Sequence, residues 1–380
     1  MDSTLSAMMR QIRSVPALYA EINDMFEQQA RSLLTRQEIL ALRDVTLTGC
    51  GDSYCAAQLG AALLEQFTDL HCACKTSIDL ARTDWLERTE DPKQSAWIGI
   101  SVSGAVTRVA EVMKRARLHH GLSIAVTGNP ESLVGTNADR VLHAAIPPFE
   151  FAPGVRSYCA SVLMMTHLAV CWGEVRGTLS RQRAEQLRRS MADLPTQLEQ
   201  TMEPMLQESL AAAHMLQSSR NYEFIGAGTS FHSGWFGMAK ILETLGMPGT
   251  ACNPEDWFHT QYFIKDLSGT STCLMTYAGS GTRDREEELL FHAKNMGRAV
   301  WVVTDREDLI SYPCIHIPAL AEPALRPLVE CLPLAAVSSD LCDLAQELYM
   351  RGAEGPWSPC TDCALVANGT LSIPEEPSAG

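Results

Sequence analysis

The chain has 380 residues, 46% of them hydrophobic and 20% charged, with a formal net charge of −15. That length is too great for one small domain and fits two. The acid excess argues against a nucleic-acid backbone as partner, since such binding needs clustered Lys and Arg to displace counterions, but a local cluster of hydroxyls, amides and one lysine can still hold a small anion. No apolar run is expected to be long enough to span a bilayer. The start, Met1-Asp2-Ser3-Thr4, lacks the basic and apolar regions of a signal peptide, so a cytoplasmic chain without membrane contact is expected. Thirteen cysteines, an odd number scattered through apolar segments such as Val170-Cys171-Trp172, read as reduced and mostly buried thiols.

Residues 1–40 read as helical, with Ile12, Leu18, Ile22, Met25 and Phe26 on an imperfect apolar face. Val45-Thr46-Leu47-Thr48 is a short strand, residues 49–53 a glycine-rich turn, and Tyr54 to Phe67 a helix. A strand is expected over Cys72 to Ile78. Trp97 to Val102 is a buried strand that runs into Ser103-Gly104, and a helix follows with Val109, Val112, Met113 and Ala116 at helical spacing. A turn of this kind brings hydroxyls and unsatisfied amides to a helix N-terminus, where an anion is favoured; it also reads as an ordinary serine cap. Ser123 to Thr127 and Val141 to Ala145 are further strands, and Ser157 to Gly173 is a helix. Alternation of this length implies βαβ units and a parallel sheet covered on both faces.

Residues 180–218, rich in Arg, Glu, Gln and Leu, form a long helical connector, after which the pattern restarts. Asn221 to Ile225 is a strand, Gly226-Ala227-Gly228 its turn and Trp235 to Leu245 its helix, while Thr272 to Tyr277 leads to Ser280-Gly281 and Ala299 to Thr304 is the next strand. Gly49 to Gly226, Ser103 to Ser280 and Thr127 to Thr304 are each 177 residues apart, which reads as an internal duplication. Past Arg351 the chain is rich in Pro, Gly and Ser and is expected to be irregular. Cys360 and Cys363 form a lone C-x-x-C, and His232, His119-His120 and His292 have no partners at ligand spacing, so no metal and no cofactor are expected. Neither glycine turn continues as G-x-G-x-x-G, which argues against a dinucleotide.

A glycine turn followed by a serine-glycine loop, twice at this spacing, resembles the sugar isomerase (SIS) domain family, in particular the isomerase half of glucosamine-6-phosphate synthase and stand-alone phosphosugar isomerases and deglycases. The resemblance implies an α/β fold of two tandem flavodoxin-like SIS domains, each a parallel sheet flanked by helices, forming a pseudo-dimer. The expected division is a helical segment over 1–40, a first SIS domain over 41–180, a connector over 181–218, a second SIS domain over 219–350 and a tail over 351–380. Cys50-Gly51-Asp52-Ser53 is similar to the family's Cys-Gly-Thr-Ser turn, Ser101-Val102-Ser103-Gly104 to its Ser-Gln-Ser-Gly phosphate loop, and Gly154-Val155-Arg156-Ser157 to its Gly-Val-Ala-Ser pocket segment. These matches imply phosphate and sugar contacts by Cys50, Gly51, Ser53, Ser101, Ser103, Gly104, Thr107, Val155, Arg156 and Ser157.

Gly237-Met238-Ala239-Lys240-Ile241-Leu242-Glu243 is similar to the family's Gly-Ala-Leu-Lys-Leu-Lys-Glu helix, and His259 stands sixteen residues beyond Glu243, as a histidine does in the family. The implied catalytic residues are therefore Glu243 as the base, His259 for ring opening and Lys240 as electrostatic helper. Chemically the set suits aldose–ketose isomerisation, in which one carboxylate moves a proton between adjacent carbons, a histidine shuttles one at the ring oxygen and an ammonium stabilises an enediolate. The family's histidine comes from a neighbouring subunit, so a homodimer with shared active sites is implied. Read without the resemblance, Lys240 and Glu243 also suit a solvated ion pair, worth about 0.3–0.5 kcal/mol, and His259 a packed histidine.

The pattern departs from the family at Asp52, at Val102, at Ala105-Val106, where the family has Glu-Thr, and at Arg156, and no counterpart of the family's C-terminal lysine occurs in Ala364 to Gly380. The expected ligand is thus a small anionic sugar other than the usual one, and Arg156 is a candidate partner for its charge. The expected reaction is isomerisation of a phosphorylated or similarly anionic sugar. Ketosamine-6-phosphate deglycation, aminosugar-phosphate deamination with isomerisation, and non-catalytic sensing of a sugar phosphate are the alternatives.

Overall fold

The computed structural model describes residues 5–83, 91–360 and 371–373. Its contacts divide the chain into two compact units. One, here the N-terminal sheet unit, comprises Glu21–Pro147, Ala160–Arg189 and Ser358–Gly380; the C-terminal sheet unit comprises Met1–Ala20, Pro148–Cys159 and Ser190–Trp357.

The first 40 residues form three helices, α1 (Ala7–Arg13), α2 (Val15–Ser32) and α3 (Arg36–Ala41). Thr35 starts α3 with a reciprocal capping box to Glu38, which satisfies two otherwise orphan amides. In the N-terminal sheet unit follow β1 (Asp44–Thr48), α4 (Asp52–Phe67), β2 (His71–Cys74), β3 (Ser95–Ile100), α5 (Thr107–Leu118), β4 (Leu122–Thr127), α6 (Leu133–Thr136) and β5 (Arg140–His143). β2 stops at Cys74, short of the expected Ile78, and β5 covers 140–143 where 141–145 was expected.

All strands of the sheet are parallel, in the order β2-β1-β3-β4-β5. Its centre, β3, is buried at all six positions, the continuous apolar run that a sheet covered on both faces demands. Trp97 packs in one cluster with Val109, Val112, Met113 and Ala116, the helical face read from the sequence.

α7 (Arg156–Arg176) and α8 (Arg181–Leu216) lead to β6 (Asn221–Ile225), α9 (Thr229–Leu245), β7 (Gly249–Cys252), α10 (Pro254–His259), β8 (Thr270–Met275), α11 (Arg283–Asn295), β9 (Ala299–Thr304), β10 (Cys314–His316) and α12 (Pro327–Leu344). Contrary to expectation, α7 is long and apolar enough to cross a membrane; its apolar window is 89% buried within the protein, as in a core helix. The second sheet is again parallel, β10-β9-β8-β6-β7, and repeats the order 2-1-3-4-5 of the first.

The 177-residue offset holds for β1 with β6, for β4 with β9, and for Gly51 (φ 56°, ψ −130°) with Gly228 (φ 57°, ψ −129°), two turns in a backbone region essentially closed to other residues. It does not hold at β3 and β8, which stand 175 apart. Ser103 and Ser280 recover 177, each accepting from the amide two residues on, Ala105 at 3.2 Å and Thr282 at 3.3 Å. Two residues are thus inserted between the strand and the serine in the second loop.

Among the described residues, eleven cysteines are free thiols, Cys50 exposed and Cys55, Cys159, Cys171, Cys273, Cys331 and Cys342 buried. Cys363 and the stretch from Ala364, apart from 371–373, lie outside the described residues.

Candidate functional site

The sequence-predicted residues fall in both units. The turn at Cys50–Ser53 and the loop Ser101–Thr107 lie in the N-terminal sheet unit; Val155–Ser157, Lys240, Glu243 and His259 lie in the other.

Two strands deliver the first group at their C-terminal ends. After β1 the chain turns at Gly49, where any Cβ would come within 2.5 Å of the Ser53 backbone, and at Gly51, so that the Ser53 amide reaches the Cys50 carbonyl at 3.1 Å. The Cys50 thiol is 3.0 Å from the Ser77 hydroxyl. After β3, the Ser101 amide donates to Val126 O at 2.9 Å, extending the pairing with β4 by one residue. Ser101 is 1% exposed and, among the described residues, its Oγ has no hydrogen-bond partner, a rare condition for a buried hydroxyl. Ser103 is exposed, while Thr107, the first residue of α5, is 2% exposed. Gly104 (φ +67°) lies so close to Ser132 that a Cβ would stand 1.8 Å from its Oγ. Val106 occupies the N-cap of α5, and no side-chain hydroxyl caps the helix. The N-terminal end of α5 and the Ser101 hydroxyl thus lie where the helix dipole favours an anion.

In the C-terminal sheet unit, Val155 and Arg156 open α7, both amides donating to Gln11 Oε1 at 3.2 and 3.4 Å. Arg156 is 6% exposed; its Nη1 donates to Ser14 Oγ at 2.6 Å and its guanidinium lies 4.5 Å above the Phe149 ring. That side chain is buried and bonded within the C-terminal sheet unit.

Lys240 and Glu243 share one face of α9, with Nζ 2.6 Å from Oε2. The pair is not the solvated one of the bland reading, because the Lys240 side chain is 0% exposed and Glu243 keeps 28%. The ammonium also lies 5.0 Å from the centre of the Phe236 ring, which stacks on Tyr158 at 4.2 Å. A buried ammonium is tolerable only when paired, and here it fixes a carboxylate that still meets solvent. His259 ends α10, its side chain 69% exposed and Nε2 3.3 Å from Glu255 Oε1, so it is not a packed core histidine.

The second loop of the repeat is built differently. Thr276 Oγ1, Ser280 Oγ and Thr282 Oγ1 donate to the Glu286 carboxylate at 2.5, 2.7 and 2.7 Å. Ser230, the counterpart of Ser53, donates to Glu330 at 2.8 Å, as Ser233 does at 2.6 Å, and Arg326 Nε joins the same carboxylate at 2.8 Å.

Residues 39–171 match the model of the SIS domain family. Over 91% of its length the chain superposes on 98% of the C-terminal domain of glucosamine-fructose-6-phosphate aminotransferase from Francisella tularensis, with a TM-score of 0.82 at 13% identity. The chain has the fold of that domain. Another SIS-fold neighbour, tagatose-6-phosphate ketose/aldose isomerase from Escherichia coli, aligns over 91% of this chain and 95% of its own (TM-score 0.69, 15% identity). In sequence, the glutamine–fructose-6-phosphate aminotransferase of Rhizobium meliloti is 25% identical over 200 residues, 52% of this chain and 32% of that protein. The enzyme of that name from Thermus thermophilus is 23% identical over 308 residues, 79% of this chain and 49% of that one. The chain thus spans about a third to a half of the length of the curated relatives it matches.

Sequence reasoning missed Glu286 and Glu330. Glu286 was findable, since it stands four residues after Thr282, one helical turn into an acid-rich helix start. Glu330 lies 100 residues from Ser230, and no local pattern announces it. Among the described residues no group of three or more His, Cys, Asp or Glu is placed to hold a metal.

Proposed function

We propose that the chain is a phosphosugar isomerase that moves a proton between adjacent carbons of an aldose or ketose phosphate. The observation that carries this reading is the Lys240–Glu243 pair: a fully buried ammonium 2.6 Å from a carboxylate that retains access to solvent. Glu243 takes the proton from one carbon and returns it to the next, and Lys240, wholly buried, acts through it by holding the carboxylate in place. His259 passes a proton between the anomeric hydroxyl and the ring oxygen. Phosphate binding we assign to Ser53, Ser101 and Ser103 of the N-terminal sheet unit, by their similarity to the SIS phosphate loop. Deamination or deglycation of an amino- or ketosamine-phosphate uses the same proton transfer, and a glucosamine-6-phosphate deaminase from Thermotoga maritima shares the fold (TM-score 0.69, 16% identity).

The test is proton exchange in D2O, followed by NMR, over a panel of hexose 6-phosphates and glucosamine 6-phosphate. Glu243→Gln is expected to bind the same sugars and lose about 10²–10⁴-fold in exchange rate, with folded fraction measured alongside because Lys240 loses this partner. Normal exchange by the variant refutes the role of Glu243. Binding by the wild-type chain without any exchange makes it a sugar-phosphate receptor.

A further inference from the structure

The two serine loops share a backbone plan but spend their hydroxyls differently. In the loop after β3, Ser101 Oγ is buried without a partner and the N-cap of α5 carries no hydroxyl. In the loop after β8, three hydroxyls converge on one carboxylate, Glu286, which is 1% exposed. Three O–H donors on one buried anion at the start of a helix is the arrangement a bound phosphate requires; here the anion belongs to the chain.

We propose that the β8–α11 loop is a second anion cradle whose occupant is the Glu286 carboxylate, so that the chain carries one open phosphate site and one closed by its own side chain. The inference rests on reading the β3–α5 loop as the open site. A tethered carboxylate excludes a free dianion because both need the same hydroxyls and because two buried like charges in contact are strongly disfavoured. Removing it leaves Thr276, Ser280 and Thr282 as unspent donors under a loop whose Ala278, Gly279 and Gly281 are exposed, so a small anion can reach them. Two neighbours limit how tightly the freed cradle binds a dianion. Asp305 Oδ1 accepts from the Ala278 amide at 2.9 Å, and Arg326, 3.2 Å from Asp305, is shared with Glu330.

The experiment is equilibrium dialysis of the full chain against radiolabelled inorganic phosphate, scored as sites per chain. The wild type is expected to bind one phosphate, lost with Ser103→Ala. Glu286→Ala is expected to bind two, the second lost on adding Ser280→Ala. Glu286→Gln, whose amide still fills the cradle, is expected to bind one. Glu286→Ser serves where the alanine variant does not fold, with the same expectation of two. No gain of a Ser280-dependent site in either truncation overturns the proposal. A wild type that binds none, with a truncation that binds one Ser280-dependent phosphate, keeps Glu286 as the occupant of the second cradle and overturns the open-site reading of the β3–α5 loop.

Discussion

Replacing Arg298 by Met tests what holds α10, and with it His259, in place. Arg298 Nη1 donates to both oxygens of Glu223 at 2.7 Å, the two side chains being 0% and 1% exposed. Its Nη2 donates to the carbonyls of Gln261 and Tyr262 at 2.7 and 3.3 Å, and the guanidinium lies 5.0 Å from the centre of the Trp257 ring. Trp257 Nε1 and Thr272 Oγ1 complete the shell of Glu223 at 3.1 and 2.7 Å. Without Arg298, Glu223 keeps two neutral donors for a buried charge, and breaking such a pair costs about 3–5 kcal/mol. At roughly 2–4 °C per kcal/mol for a unit of this size, the transition of the C-terminal sheet unit falls by about 6–20 °C. Thermal and urea unfolding of Arg298→Met, Glu223→Gln and the double variant provide the measure. The double variant is expected to be more stable than the sum of the singles implies, by about 1–3 kcal/mol, because it removes the orphaned charge. A cost under about 1 kcal/mol for Arg298→Met, or strict additivity, refutes the argument that this pair clamps the segment.

Two further outcomes follow from the N-terminal sheet unit. Gly104→Ala forces a Cβ to 1.8 Å from Ser132 Oγ, whose hydroxyl caps α6, at a φ of +67°. It should cost at least 1–3 kcal/mol and abolish phosphate binding by the serine loop, whereas Gly51→Ala, with no atom within 4 Å, should cost only its backbone strain; paired denaturation curves and dialysis separate the two. His167, 2% exposed with Nε2 3.0 Å from Asn23 Oδ1, is held neutral by burial, its pKa pushed down to about 3. The unfolded chain takes up that proton near pH 6.5 and the folded chain only near 3, so stability falls as pH drops through this window, by on the order of 3–4 kcal/mol between pH 6.5 and 4. His167→Gln should flatten that acid-side slope in unfolding measured against pH; an unchanged slope refutes it.

The order of strands and helices was legible because parallel strands buried on both faces are written as apolar runs, such as 96–100 and 299–303, and because Gly51 and Gly228 sit where only glycine is easily placed. What escaped is what has no period. β10 is three residues long and α6 four, too short to show any repeat. The register slip between β3 and β8 was hidden because Ser103 and Ser280 keep the common offset, so the landmark that revealed the repeat masked the inserted pair. The i, i+3 spacing of Lys240 and Glu243 was plain in the sequence; that the ammonium is wholly buried and the carboxylate is not depends on Phe236 and Tyr158, the latter 82 residues away.

The same limit applies to any functional reading of a duplicated fold. The repeat fixes a backbone that presents amides and hydroxyls at the C-terminal ends of its strands, and this backbone is alike in both units. What the donors meet is decided by single carboxylates, Glu286 at one helical turn and Glu330 on a distant helix. Acidic side chains inside a helix start look like ordinary dipole partners in a sequence, yet here they decide whether a cradle is open or closed. Two serine loops at one spacing therefore share one backbone plan and differ in what their hydroxyls meet.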